Sequence, residues 1–256
     1  MSMNVNWLPE TAYFFMLIFA RVGTILMLMP ALGETSIPAR LRLTFALAFS
    51  FVLFPLLSAA LPKLPTDLLA IGMLLGHEIA IGLILGGITR LIVVATQVAG
   101  ATIAFQTGLS VAQGADPSQS GIQGVVIGNF LSMLGITLIF ATNLHHLALA
   151  AIYDSYKMFS PSEPLMLGDA AQMALRALSS GFIVGVQMAA PFIVFGLVFN
   201  FGIGILARLM PQLQVYFLAM PANIGVGLVL FAVLLSMMMG WYLTHFQAQL
   251  SVLSGG

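Results

Sequence analysis

Apolar and polar residues alternate along this chain in long blocks, with oily runs divided by short polar joints. The first run covers about residues 11–29 and stops at Pro30; the joint over 33–42 carries Glu34, Pro38, Arg40 and Arg42. The second covers 43–61 and is closed by Pro62-Lys63-Leu64-Pro65. The third, 68–105, suits one bent helix or two divided near Arg90. A small, polar stretch over 106–123 precedes a fourth run, 124–153, and a loop over 157–168 holds Pro161 and Pro164. A further helix starts near Asp169, whose carboxylate suits the positive end of a helix, and runs past Pro191 to about residue 205. The last covers roughly 222–246. A membrane-spanning helix needs about 20 mostly apolar residues, so the pattern predicts five to seven helices. Few runs alternate with period two, and a sheet edge in lipid would leave backbone groups unsatisfied. The expected fold class is all-α: a polytopic hydrophobic helical membrane protein with bent helical hairpins.

Composition agrees. Apolar residues make up 60% of the 256, charged residues 6%, and mean hydropathy is +1.07. Soluble domains carry about 25% charged residues, so this chain has too few to hydrate a globule. Eight Lys+Arg balance eight Asp+Glu, which excludes the clustered basic charge of a nucleic-acid partner. With no cysteine, disulfides, thiolate metal sites and thiol nucleophiles are absent. The first charge is Glu10 and the first basic residue Arg21, so the positive start of a cleavable signal peptide is not expected. Arg40 with Arg42 hints that the first joint faces the cytoplasm, but Lys63, Lys157, Arg176 and Arg208 scatter the remaining positive charge.

Three charges fall inside apolar runs: Arg21, Glu78 (beside His77) and Arg90. A central arginine costs roughly 2.5–3.5 kcal/mol on insertion scales, so each should face protein, water or an opposite charge. On a straight helix Glu78 and Arg90 lie about 120° apart and should not pair with each other, whereas Glu78 shares a face with Gly82. Two roles fit such groups: packing against other helices, or a proton or ion relay. The glycine pairs Gly82/Gly86, Gly124/Gly128 and Gly181/Gly185 each make a flat strip for close helix approach.

A search for chemistry finds little. His145 and His146 are adjacent, so they point about 100° apart and cannot chelate one metal from a helix face. No H-E-x-x-H or G-x-S-x-G spacing occurs, and Asp116, Asp154 and Asp169 lack a spaced partner. No catalytic residue, metal or cofactor is expected. The sixteen methionines and nineteen phenylalanines read mainly as core filling, although soft thioether chains would also suit a constriction.

Two segments stand out. Residues 207–225, ARLMPQLQVYFLAMPANIG, set Arg208, Pro211, Gln212, Gln214, Pro221 and Asn223 between apolar runs, and broken backbone at membrane depth survives only against protein or a wet cavity. Residues 106–123 form a near-neutral loop containing Gln106, Gly108, Leu109, Ser110, Gln113, Gly114, Asp116, Pro117 and Gly121. Loops longer than about 12–15 residues within compact domains are usually functional or disordered, and small neutral residues could fill an aqueous channel and withdraw at little desolvation cost.

Taken in order, ARVGTILMLMPALGETSIPARLRL (20–43), GHEIAIGLILG (76–86), QVAGATIAFQTGLS (97–110), Asp116-Pro117 and RLMPQLQVYFLAMPANIGVGL (208–228) resemble the FliR family, flagellar biosynthetic proteins of the type III export gate, and its injectisome relatives. Within the last piece the family motif falls on Arg208, Pro211, Gln212, Pro221 and Asn223. The resemblance implies a structural role in protein export rather than catalysis, with FliP-like and FliQ-like subunits forming a pore for unfolded flagellar proteins and with FlhB-like and FlhA-like components nearby. It implies a FliP-like part over 1–181, a FliQ-like hairpin over 182–256, and a loop over 106–123 that plugs the closed channel. It places the chain in the bacterial inner membrane, in the flagellar basal body and partly on the periplasmic side, its oily faces covered by neighbouring subunits. An injectisome gate subunit, a small-solute or ion transporter and a membrane scaffold are the alternatives; a transporter would usually show inverted repeats, and none is evident.

Overall fold

The computed structural model describes residues 7–30, 32–34, 37–110, 125–163, 167–212 and 214–253. Among these residues every regular element is helical: α1 (Trp7–Leu28), α2 (Ala39–Leu57) continued by a 3-10 turn (Ser58–Ala60), α3 (Leu68–Leu91), α4 (Val94–Gln106), α5 (Val125–Ala141), α6 (Leu144–Met158), α7 (Leu167–Leu209) and α8 (Val215–Leu253). Five helical stretches are long and apolar enough to cross a membrane, or six if α5 and α6 count together as one. The polytopic all-α expectation therefore holds.

Two boundaries differ from the sequence reading, each for a local reason, and a third falls where it was expected. The run over 124–153 is two helices, because Asn143 adopts a left-handed conformation (φ 60, ψ 14) between them; asparagine tolerates that region better than most residues. The 68–105 run divides after Leu91, just beyond Arg90, and Asp67 caps its first half by accepting from the Leu69 amide at 3.2 Å. The last helix starts at Val215 rather than near 222, so Pro221 lies inside it. The Gln214 carbonyl accepts from the amides of Phe217 and Leu218, which starts the helix before the proline. Pro221 then removes only one hydrogen bond, that to the carbonyl four residues earlier. The break expected across 207–225 thus shrinks to the few residues between α7 and α8.

Two compact units share the chain: Met1–Ile92 with Asn143–Leu178 and Gln247–Gly256, and Val93–Thr142 with Ser179–Phe246. In the first, α1 buries Tyr13, Leu17, Ile18, Val22 and Ile25, with Met29 just past its end, a stripe at three- and four-residue spacing that faces α3. Glycines set the depth of that contact. A Cβ on Gly82 would come within 2.7 Å of the Thr24 Cβ and 2.9 Å of the Arg21 carbonyl oxygen, and one on Gly86 within 2.8 Å of the Leu28 Cβ.

In the second unit α4 is the central rod, burying Ala95, Ala99, Ile103 and Ala104 on one face. Gly100 of α4 lies directly against Gly128 of α5, and a Cβ on Gly185 of α7 would meet the Ala95 carbonyl oxygen at 2.8 Å. Small residues thus let helices approach closely where lipid provides no squeeze. Gly124 falls outside the described residues. The consecutive methionines divide as the packing reading supposes: Met238 and Met239 are buried and Met237 is exposed.

Candidate functional site

One site grows from α1. Arg21 is 0% exposed and Glu78 of α3 1%, so neither charge can be hydrated. The Arg21 Nε donates to Glu78 Oε2 at 2.6 Å and Nη2 to Oε1 at 3.0 Å, the two-pronged match that a planar guanidinium makes with a carboxylate. Nη1 donates to the carbonyls of Ser155 (3.1 Å) and Phe159 (2.9 Å), which belong to the last turn of α6 and its C-terminal flank. The Phe159 carbonyl lies beyond the last helical donor, while that of Ser155 also accepts from the Phe159 amide at 2.9 Å. The guanidinium carbon also lies 4.1 Å from the Tyr156 ring centroid. Each nitrogen of the guanidinium has an acceptor, and the cluster joins α1, α3 and the end of α6. A buried pair bonded in this way suits holding helices together.

Arg90 does not belong to this cluster. It is exposed in the last turn of α3, turned from Glu78 by the 120° noted above, where a cation complements the negative end of the helix dipole. Within the chain it packs against no opposite charge among the described residues. Asp154, which the sequence gives no spaced partner for metal or catalytic chemistry, accepts from Lys157 Nζ at 2.8 Å on the surface of α6. His145 and His146 sit with ring centroids 4.2 Å apart, and no group of three potential metal-ligating side chains occurs among the described residues.

The second site lies where α4 gives way to the 106–123 segment. Thr107 closes the helix, its amide and hydroxyl both donating to the Ile103 carbonyl at 2.9 Å. Gly108 follows at φ +72, the left-handed conformation that commonly ends a helix and that glycine adopts without strain. From α8, Asn223 Nδ2 donates to the Gln106 carbonyl at 3.4 Å, and a Cβ on Gly108 would meet the same nitrogen at 3.1 Å. Asn223 is 9% exposed, and its Oδ1 is buried without a partner. Gly227, one turn further along α8, makes room for Thr107, and Gly196 of α7 makes room for Gln106. The start of the segment is thereby clamped by α7 and α8, with Gly108 buried and Gln106, Leu109 and Ser110 half-buried. Gln113, Gly114, Asp116, Pro117 and Gly121 lie outside the described residues.

Of the motif residues near the chain's last turn, only Asn223 is enclosed; Arg208, Pro211, Gln212 and Pro221 are exposed. Sequence reasoning missed the carbonyls and the ring that complete the Arg21 cluster, since no sequence pattern marks a backbone acceptor. It also missed Gly196 and Gly227, which form no small-xxx-small pair with their actual neighbours.

Comparison with known proteins gives a consistent answer. The family described as bacterial export proteins, family 1, matches residues 12–249. A flagellar biosynthetic protein FliR of Caulobacter vibrioides is 44% identical over 234 residues, 91% of this chain and 93% of that protein. FliR of Bacillus subtilis is 32% identical, covering 87% of this chain and 86% of its own length. The Yop proteins translocation protein T of Yersinia pestis is 25% identical over 183 residues, 70% of this chain and 69% of that protein.

Proposed function

The chain belongs to the bacterial export proteins of family 1, with FliR proteins among its relatives, and we propose that it is a structural subunit of the flagellar type III export gate, lining a pore for unfolded proteins. It is a membrane-embedded component of flagellar export. Flagellar rather than injectisome membership follows the higher identity and coverage of the FliR relatives.

The observation that carries the pore reading is the length of the uncovered oily surface. Exposed apolar side chains run along α7 from Leu175 to Leu209 and along α8 from Tyr216 to Val252. At about 1.5 Å rise per residue each row is about 50 Å long. The hydrocarbon core is only ~30 Å thick, and tilts stay within about 40°, so even at the steepest tilt lipid covers about 39 Å, roughly three-quarters, of either row. Only 11% of the most apolar window of α8 is buried within the chain, against 44% for α1. Companion polypeptides must cover the rest. FliP-like and FliQ-like subunits are the partners this reading names, with FlhB-like and FlhA-like components beyond them. In it, the chain is FliP-like over 1–181 and FliQ-like over 182–256, a boundary inside α7, and the segment after Gly108 plugs the closed pore. Its setting is the inner membrane at the flagellar basal body, partly on the periplasmic side.

Co-expression tests this. A tagged chain is expected to retain two other very hydrophobic subunits through mild detergent extraction and size-exclusion chromatography. A stable homo-oligomer that moves small solutes would replace the gate with a transporter.

A further inference from the structure

We propose that the groove between α1 and α2 binds an anionic phospholipid, its phosphate on Arg40 and Arg42 and one acyl chain between Leu26, Leu32, Ile37, Leu41 and Phe45. The inference needs the chain to lie in a bilayer and does not depend on its role in export.

These five apolar residues and Arg42 line a cavity of about 140 Å³. Arg42 lines it: Nη1 donates to the Gly33 carbonyl at a long 3.4 Å, and Nε is buried without a partner among the described residues. A buried, unmatched N–H on a charged group calls for an acceptor from outside the chain. Arg40, one residue from the cavity wall at Leu41, is exposed. Neither arginine pairs with a carboxylate; the ion pairs among the described residues are Arg21–Glu78 and Lys157–Asp154. Glu34, in the same joint, bonds neither. The first turn of α2 adds positive potential, since its N-cap Pro38 supplies no side-chain hydrogen bond.

Charge and apolar surface together select a lipid over a free anion. A soluble phosphate would leave the apolar walls empty, whereas a phospholipid fills both halves of the site. The helix leading away from the arginines is also matched to a bilayer. Beyond the arginines, residues 43–57 of α2 and the 3-10 turn to Ala60 rise about 28 Å, close to the hydrocarbon thickness. Leu43, Phe51, Val52 and Leu56 are exposed along it, ready to accompany an acyl chain inward. Unlike the rows on α7 and α8, this surface is one that lipid alone can cover, with its two arginines at headgroup level.

The test uses the full chain in its detergent-extracted complex, stripped of endogenous lipid and titrated by native mass spectrometry with dioleoyl phosphatidylglycerol or dioleoyl phosphatidylcholine. Wild type is expected to prefer the anionic lipid, and Arg40→Gln and Arg42→Gln each to weaken its binding about fivefold without changing the zwitterionic lipid. Soluble glycerol phosphate at the same concentration is expected not to compete. Because Arg40 is exposed and unbonded, its variant reports even if Arg42→Gln impairs assembly. Equal affinity for the two lipids, unaltered binding in both variants, or displacement by glycerol phosphate would overturn the proposal. So would a crosslink showing an acidic side chain of a partner subunit seated on Arg42.

Discussion

Arg21 and Glu78, 57 positions apart, meet in a two-pronged ion pair sealed completely from solvent. Such a pair contributes modest net stability, since desolvating both charges offsets most of their attraction, but removing either partner strands the other. The two carbonyls that Arg21 also satisfies make the stranding worse.

Arg21→Ala or Glu78→Ala is therefore expected to destabilise the chain by about 3–5 kcal/mol and to lower recovery of the assembled complex, read by size-exclusion yield and thermal melting. A double replacement by methionine is expected to recover part of the loss, because no charge is then stranded. Arg21→Lys should fail, as an ammonium cannot reproduce the fork. If either alanine variant assembled normally while export stopped, a relay role would displace the packing role.

Glycine replacement separates contact from exposure on α3. Gly82→Leu and Gly86→Leu must push α1 away, given the short approaches of Thr24 and Leu28, and are expected to cost about 1–3 kcal/mol or more, as overpacked cores do. Gly72 and Gly76 on the same helix have nothing within 4 Å. Alanine there is expected to be neutral or to stabilise by up to about 1 kcal/mol, through helix propensity alone. Equal melting temperatures for the two pairs of variants would contradict the α1–α3 contact.

At the end of α4, Gly108→Ala forces a side chain into the left-handed region, at about 1–2 kcal/mol, and toward the Asn223 amide. Asn223→Ala removes the donor that reaches the Gln106 carbonyl. Both variants are expected to assemble and to raise the ion permeability of membranes carrying the complex, measured by conductance.

Deletion of residues 109–120 is expected to leave assembly intact and to give the largest leak. Conductance indistinguishable from the parent complex would remove the plug from the account.

Much of the fold was legible because membrane helices announce themselves through length and composition. The 120° argument correctly separated Glu78 from Arg90, and Gly82 correctly marked the Glu78 face as the close-packed one. What escaped were local conformations that the residue types permit without requiring. Asparagine tolerates the left-handed region adopted by Asn143 but does not demand it, and a helix can start at Gln214 ahead of Pro221 at the loss of one hydrogen bond. The Arg21 cluster was half legible: an arginine in an apolar run demands a partner, but choosing Glu78 over Glu10 or Asp154 takes tertiary geometry. For the 106–123 segment, the sequence marked its length and near-neutral, small-residue composition, and the structure adds the clamp at its start from Asn223, Gly196 and Gly227.

The central claim is that other polypeptides cover the parts of the oily rows on α7 and α8 that lipid cannot reach. Photo-crosslinking amino acids placed singly at Phe201, Leu218, Val229 and Val233, all exposed in the chain, test it in intact membranes expressing the whole export apparatus. The expected result is discrete crosslinks from most of these sites to FliP-like or FliQ-like subunits. Adducts to lipid alone at all four would contradict the account.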